Sequence, residues 1–504
     1  MPEGSNAAYA RTSGAPIDTA AHDLRSTTQP LVAMQVGAVS FVDEGVEQVL
    51  DEFEDRAQVN ALFLATPTWT LGTGGRQLPG HPLPDHGLQQ HADDWKGGSY
   101  APLHPEYYRS TILGASGRAT EHGDWDMFAT VLPAARQRGI KSYAWMEESS
   151  YAKTLRSYPG FLSCLETDVW SRPAPRPCFN NPDYRNWHLA MVEDYVKSYA
   201  LDGIAWCSER PGPLNLALQG PVAAKDLTCF CDHCKRIATD HGIDSRRALT
   251  GYRELLVWNQ TAAQLTGTNR GDGAFVELWR LLLEYPELLA WQHHWTTSQR
   301  QLYRDIYGTA KAASEVIEVG WHIYHNLSFS PFYRADQDYA ALGECSDFLK
   351  VVAYNNCAGP RFYTWIHNIC KTLFAGVDES IVYNLLSGTL GLSEAALDDL
   401  PIKGFSAQYV QDETARARQA SPPSCAIYTG IDIDIPVGDP RPAPDATARP
   451  TPELTRCSRE GVHAAVSAAF AGGADGVVLS RKYSEMWLDN LSGAGDALRE
   501  LAPR

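Results

Sequence analysis

The sequence is short of positive charge. Lys and Arg number 43 against 60 Asp and Glu, a formal net charge of −17, and the bases are interleaved with the acids rather than blocked. Nucleic acids and anionic membranes need a basic face, so neither is an expected partner. No stretch approaches about eighteen uninterrupted apolar residues, so no membrane-spanning helix is expected. Residues 1–29 are small and polar, with no apolar segment behind a basic start. They read as a flexible tail, and no secretory signal is visible. No Gly-rich phosphate loop follows any strand candidate, which weakens a nucleotide-binding open sheet. The 11 cysteines are odd in number, and their only tight cluster has metal spacing rather than a disulfide framework. A reduced, cytoplasmic protein accounts for this most simply.

What is present is an alternating pattern. The chain has 504 residues, 44% of them hydrophobic, enough for a large core. From Leu31 onward, short apolar strands alternate with loops and amphipathic helices. Eight strand candidates begin at Leu31, Asn60, Ile140, Asp202, Glu318, Asp347, Cys425 and Asp475. Several are near-continuous apolar runs, the mark of parallel strands covered on both faces. Eight such units are most simply closed as an α/β fold, a (β/α)8 TIM barrel with long βα-loop insertions, spanning 30–504 as a single domain. The insertions are Leu71 to Asp124, a helical excursion over about 235–313, and a Pro-rich loop over about 437–456. Within the excursion, FVELWRLLLEYPELLAWQHHW is apolar almost all round and predicts one buried helix.

In such a barrel, chemistry sits at the C-terminal ends of the strands. That rule selects Trp145, Glu147 and Glu148 on the third strand and Glu209 and Arg210 on the fourth. It adds His322 and His325 on the fifth, and Tyr354 and Asn355 on the sixth. Asp432 and Asp434 end the seventh, and Arg481, Lys482 and Glu485 the eighth. Cleaving a sugar acetal needs two carboxyl groups across the scissile bond, one an acid and the other a nucleophile or base. Glu209 follows an apolar strand and precedes a rigid PGP turn, which suits a general acid/base. Arg210 beside it offers an ion-pair alternative for Glu209.

Soon after comes CFCDHC, in which Cys229, Cys231 and Cys234 supply three thiolates. Tetrahedral zinc needs four ligands. Cys178 is the natural fourth, and Cys207 is open as well. A site with four thiolates is closed and structural rather than catalytic.

The order of Cys178 in PRPCFNNPDYR, a helix, a strand ending in Glu209, then C-x-C-x2-C resembles the family 42 β-galactosidases and related hypothetical glycosyl hydrolases of the same barrel clan. The likeness is closest over 178–242. It implies a retaining glycoside hydrolase with Glu209 as acid/base and a structural zinc on Cys178, Cys229, Cys231 and Cys234. Two departures stand out. Ser208 occupies the position where the family has Asn before its acid/base. The seventh strand reads YTGIDIDIP, with no Glu where the family has its nucleophile. Asp432 is therefore expected as the opposing carboxylate with Asp434 in support, and Glu485 and Glu148 are its rivals.

Trp145, Arg210, His322, His325, Asn355, Arg361, Arg481 and Lys482 are candidate substrate contacts. His322 and His325, three apart on a strand, should point to opposite faces. The expected substrate is a small glycoside or oligosaccharide, and a homo-oligomer stays open. Two other classes also stay open: a non-hydrolytic lyase or isomerase acting on sugars, and a catalytically silent carbohydrate-binding barrel.

Overall fold

The computed structural model describes residues 29–501 apart from 78–82, 93–94, 149–156, 159, 263–271, 326–327 and 435–456. The Pro-rich loop and all of the tail but Gln29 lie outside the described residues.

All eight expected strands form and close into one parallel barrel. In chain order they are β1 (Leu31–Gly37), β2 (Ala61–Ala65), β3 (Lys141–Glu147), β6 (Gly203–Cys207), β7 (Glu318–Ile323), β8 (Phe348–Val352), β9 (Ala426–Asp432) and β10 (Gly476–Ser480). The numbering leaves room for a small antiparallel ribbon, β4 (Leu165–Thr167) with β5 (Pro173–Pro177), between β3 and β6. Around the barrel the order is β1-β10-β9-β8-β7-β6-β3-β2.

Side chains alternate between the two faces of each strand. Val32, Met34, Val36, Leu62, Leu64, Ile204 and Trp206 point outward into the layer between sheet and helices. Ala33, Ala61, Phe63, Tyr143, Trp145, Ala205, Cys207, Phe348 and Tyr428 fill the interior. Rings this large fit only because glycines face them. A Cβ on Gly203 would lie 2.2 Å from the Tyr143 ring, and one on Gly320 would lie 2.3 Å from the Phe348 ring.

The helix expected after Cys178 runs from Pro182 to Ser198. Asn181 caps it, its Oδ1 accepting from the backbone N–H groups of Asp183 and Tyr184 at 3.0 and 3.3 Å. Pro182 sits at the first helical position, where its missing N–H costs nothing.

The single buried helix expected in the excursion is instead two, Gly273–Glu284 and Glu287–Ala313. Pro286 separates them: it has no N–H to donate and pushes the preceding residue out of helical geometry. The first of the pair buries only Ala274 and Leu278. Trp279 is 53% exposed and Leu283 82%. Among the described residues no helix is long and apolar enough to cross a membrane.

Candidate active site at the C-terminal mouth of the barrel

The inward parity of the strands determines which side chains reach the barrel mouth. On β3 it brings Trp145 and then Glu147 inward. On β6 it brings Cys207 and, two residues later, Glu209. The same alternation continues through His322 on β7, Tyr324 just after it and Tyr354 after β8. All of these line one cavity of about 550 Å³. Its walls are completed by Thr70, Gly72 and Thr73 from the long segment after β2, and by Leu216, Gln219, Val222 and Asp226 from the segment after β6. Phe329 and Trp365 supply further aromatic surface, and Arg176, Arg361 and Arg481 supply positive charge.

Glu209 lies deep in the protein, yet its side chain is 48% exposed, and that exposure is to the cavity. Its Oε1 is 3.5 Å from His322 Nε2 and 3.7 Å from Cys207 Sγ. Burial alone would raise its pKa. His322, Arg361 and Arg481 outweigh burial, and the net direction is down. Burial and the nearby Lys350 hold His322 near 4, so at neutral pH the imidazole is uncharged. The standing positive charge therefore comes from the two guanidiniums. Glu209 is a carboxylate at neutral pH, the opposite of a resting general acid.

Glu147 is the second carboxylate on the cavity, and sequence reasoning passed over it in favour of its neighbour. Its Oε2 accepts from Thr68 Oγ1 at 2.8 Å, Trp69 N at 2.6 Å and Thr70 N at 3.2 Å. Its Oε1 accepts from Thr70 Oγ1 at 2.9 Å. Burial pushes its pKa up, and the charge on Glu209 adds to that, against the pull of the donors around it. Glu147 and Glu209, two of the three carboxyls on the cavity beside Asp226, are thus driven in opposite directions.

The other expected carboxylates point elsewhere. Asp432 is 1% exposed and absent from the cavity lining. Its oxygens accept from the backbone N–H groups of Asn356 and Cys357 at 3.2 and 2.8 Å, which ties β9 to the start of helix Asn355–Ile369. Asp434 does not share its face, because β9 ends at Asp432 and Asp434 takes a left-handed φ of 54°. Asp434 accepts from Trp487 N and Asn490 Nδ2, both at 2.6 Å, and burial raises its pKa to about 6. Glu485 is buried 3.6 Å from Lys482 Nζ. Glu148 points out of the barrel, where it bonds Tyr184 Oη and Ser208 Oγ and pairs with Arg210.

The expected substrate contacts divide evenly. Trp145, His322, Arg361 and Arg481 line the cavity. Trp145 Nε1 and both ring nitrogens of His322 have no hydrogen-bond partner among the described residues. Arg361 stacks its guanidinium 4.8 Å from the centre of the Tyr324 ring. Arg210 does not reach the cavity: it is 4% exposed, pairs with Glu148 and Glu166, and lies over Phe179. His325 lies two residues past the end of β7, away from the cavity lining, and bonds Tyr409 Oη at 2.9 Å. Asn355 donates to Phe405 O, and Lys482 donates to the carbonyls of Leu71, Gly75 and Arg76. Lys482 therefore holds the cavity wall rather than its contents.

The four cysteines converge. The sulfurs of Cys178, Cys229, Cys231 and Cys234 all lie within 4.8 Å of one another. Cys178 Sγ is 3.5 Å from both Cys234 Sγ and Cys231 Sγ. Tetrahedral zinc with Zn–S of about 2.3 Å needs sulfurs about 3.8 Å apart, so the set fits such an ion. Asn180 donates to Cys178 Sγ and Cys234 Sγ, and Cys231 N donates to Cys229 Sγ. Donors of this kind stabilise thiolates around a metal. Cys207, the other sulfur open from the sequence, lies on the barrel wall and belongs to the cavity.

A closed eight-stranded parallel barrel with a cavity at the strand C-termini defines the class: a (β/α)8 TIM barrel. No protein-family model and no curated protein sequence matches the chain. Solved structures do, and glycoside hydrolases are prominent among them. A β-galactosidase from the Antarctic haloarchaeon Halorubrum lacusprofundi aligns with a TM-score of 0.50 and 13% identity, over 94% of this chain and 58% of its own. The α-L-fucosidase isoenzyme 2 of Paenibacillus thiaminolyticus gives 0.47 and 11%, over 94% and 49%. The PgaB (BpsB) glycoside hydrolase domain of Bordetella bronchiseptica gives 0.45 and 11%, over 93% and 96%. This chain thus spans about half to three-fifths of the first two proteins. At these identities the likeness is one of fold.

Proposed function

We propose that the protein is a glycoside hydrolase acting on a small glycoside, β-galactoside-like by its sequence resemblance, with Glu209 and Glu147 as the working carboxyl pair. The observation that carries this reading is Glu209 itself, a carboxylate half exposed to a cavity at the barrel mouth that Glu147 also lines. Two such groups driven apart in pKa divide the labour between them. Glu209, pulled down, is the ionised partner that attacks or activates water. Glu147, pushed up, holds the proton for the leaving oxygen. This reverses the role that the family resemblance gives Glu209. Trp145, Tyr324 and Trp365 offer faces on which a sugar ring can stack. Retention of configuration goes with the family resemblance. The Cys178, Cys229, Cys231 and Cys234 set holds zinc in a structural role, and thiolates kept for a metal go with a reducing, cytoplasmic setting.

The test uses two leaving groups. On an alkyl β-galactoside, which needs a proton to leave, Glu147→Gln and Glu209→Gln should each lose about a hundredfold or more in kcat/KM. On a dinitrophenyl glycoside, which leaves without one, Glu147→Gln should recover most of its rate and Glu209→Gln should not. Equal loss for both variants on both substrates would sink the division of roles. Full activity of Glu209→Gln would sink the hydrolytic reading.

A second reading has its own observation. Lys350 lies behind the cavity lining under Trp145, its pKa lowered by burial to about 7, and its bond to Tyr354 Oη at 2.8 Å makes Tyr354, which lines the cavity, its link to a carbonyl sugar in a lyase or isomerase. Sugar turnover that survives Glu209→Gln and disappears in Lys350→Met would favour it.

A further inference from the structure

We propose that the cavity floor is a second cation site, in which Cys207 Sγ, Glu209 Oε1 and His322 Nε2 bind a thiophilic divalent ion such as zinc, with a fourth position open to the cavity. The proposal goes beyond the hydrolytic reading and does not depend on it.

Geometry argues first. A tetrahedral zinc bound by one sulfur, one imidazole nitrogen and one carboxylate oxygen places N and O about 3.4 Å apart and S and O about 3.6 Å apart. The observed separations are 3.5 Å from His322 Nε2 to Glu209 Oε1 and 3.7 Å from Cys207 Sγ to Glu209 Oε1. All three ligand atoms lie within 4.8 Å of one another.

The second argument is an unmet need. His322 is 5% exposed, and neither of its ring nitrogens has a hydrogen-bond partner among the described residues. A buried imidazole left in that state is costly unless something outside the chain satisfies it. His322 Nε2 lies 3.5 Å from Glu209 Oε1 and within 4.8 Å of Cys207 Sγ, the two groups with which it can share an ion.

The third argument is the surroundings. Three protein ligands with one open position is the pattern of reactive zinc sites, whereas the cluster of four cysteines is closed. Cys207 and His322 are adjacent in register on β6 and β7, so the barrel backbone fixes their spacing. Trp145 stacks beside His322, with ring centres 6.2 Å apart, and gives the site an apolar flank. Of the three ligands Glu209 is the most exposed, and its side of the cavity supplies the entry path.

Binding forms one sulfur–metal bond and releases the Cys207 thiol proton to buffer. The bound ion occupies the carboxylate oxygen that the hydrolytic reading needs. A glycoside and the ion therefore compete for Glu209.

The experiment counts ions. Full-length protein is stripped with a chelator, equilibrated at micromolar free Zn²⁺, desalted and assayed for zinc, alongside Cys207→Ser and His322→Gln. Circular dichroism confirms that each variant is folded. The expected result is one equivalent fewer in each variant than in the wild type, whatever the total. A repeat with Co²⁺ should show a weaker sulfur-to-cobalt band for Cys207→Ser. Equal zinc content in the wild type and both folded variants would overturn the site. Because the readout is stoichiometry, its failure is separate from any failure of the hydrolytic reading, which is read by turnover without added metal.

Discussion

A carboxylate's role here follows from what surrounds it, and Glu413 shows this as clearly as the cavity pair. It is 3% exposed and faces Arg334, Arg416 and His325. Burial would raise its pKa, yet the surrounding charges hold it at about 2. His325 is itself held near 3 by burial, so at neutral pH it is uncharged and the two arginines supply the attraction. The folded pKa lies below the unfolded value of about 4.3. The stabilisation is therefore complete above that value and is lost as pH falls through about 2. Glu413→Gln leaves two partly buried arginines without their anion and should cost about 3 kcal/mol at pH 7. Urea unfolding checks this, and the gap between variant and wild type should close in strong acid. A gap that stays constant down to about pH 2 would show that packing, not charge, was lost.

At the scale of elements, the strands were legible and their facing was only partly so. Near-continuous apolar runs marked several of the eight, because strands buried on both faces leave little polar alternation to blur the signal. That same property hid the parity of β3. Trp145 and Met146 are both apolar, so nothing local says which of Glu147 and Glu148 points inward, and a shift of one residue exchanges them. Glu209 escaped this ambiguity because neither Ser208 nor Arg210 offered a competing carboxylate. Asp432 misled for another reason. Its partners, Asn356 and Cys357, are 76 and 75 residues away, and no local pattern reports that contact. The glycines of the interior were legible only in retrospect, once Phe348 was seen to face β7. Gly320→Ala would press a Cβ against that ring and should cost about 1–3 kcal/mol by overpacking. The measurement is the denaturation midpoint, and it should recover in part in Gly320→Ala combined with Phe348→Leu. No recovery would mean that the backbone, not the ring, objects to the methyl group.

At the scale of the whole molecule, the cysteine cluster and the cavity belong to one device. The chain leaves β6, walls the cavity with Leu216, Gln219, Val222 and Asp226, and then returns to the cluster at Cys229, Cys231 and Cys234. Cys178 comes in from the ribbon that carries Arg176 to the same cavity. A metal joining these sulfurs would close a loop of about 50 residues that begins and ends at the cluster and includes Glu209. The barrel itself does not need this closure, since its hydrogen bonds run strand to strand around the ring. Losing the metal should therefore free the wall while the barrel stays folded. In Cys231→Ser, trypsin should cut first at Lys225, which is exposed on that wall, while circular dichroism keeps most of its signal. If the variant instead unfolds in one cooperative step with no early cut, the cluster is part of the barrel's own folding unit. An uncut, fully folded variant would mean that packing alone holds the wall, through Leu214, Leu218 and Leu227 against Tyr252 and Trp291. Glycoside turnover follows the same logic: a loosened wall should raise KM more than it lowers kcat, because Glu147 is held on β3 and Glu209 lies only two residues past the end of β6, ahead of the wall residues.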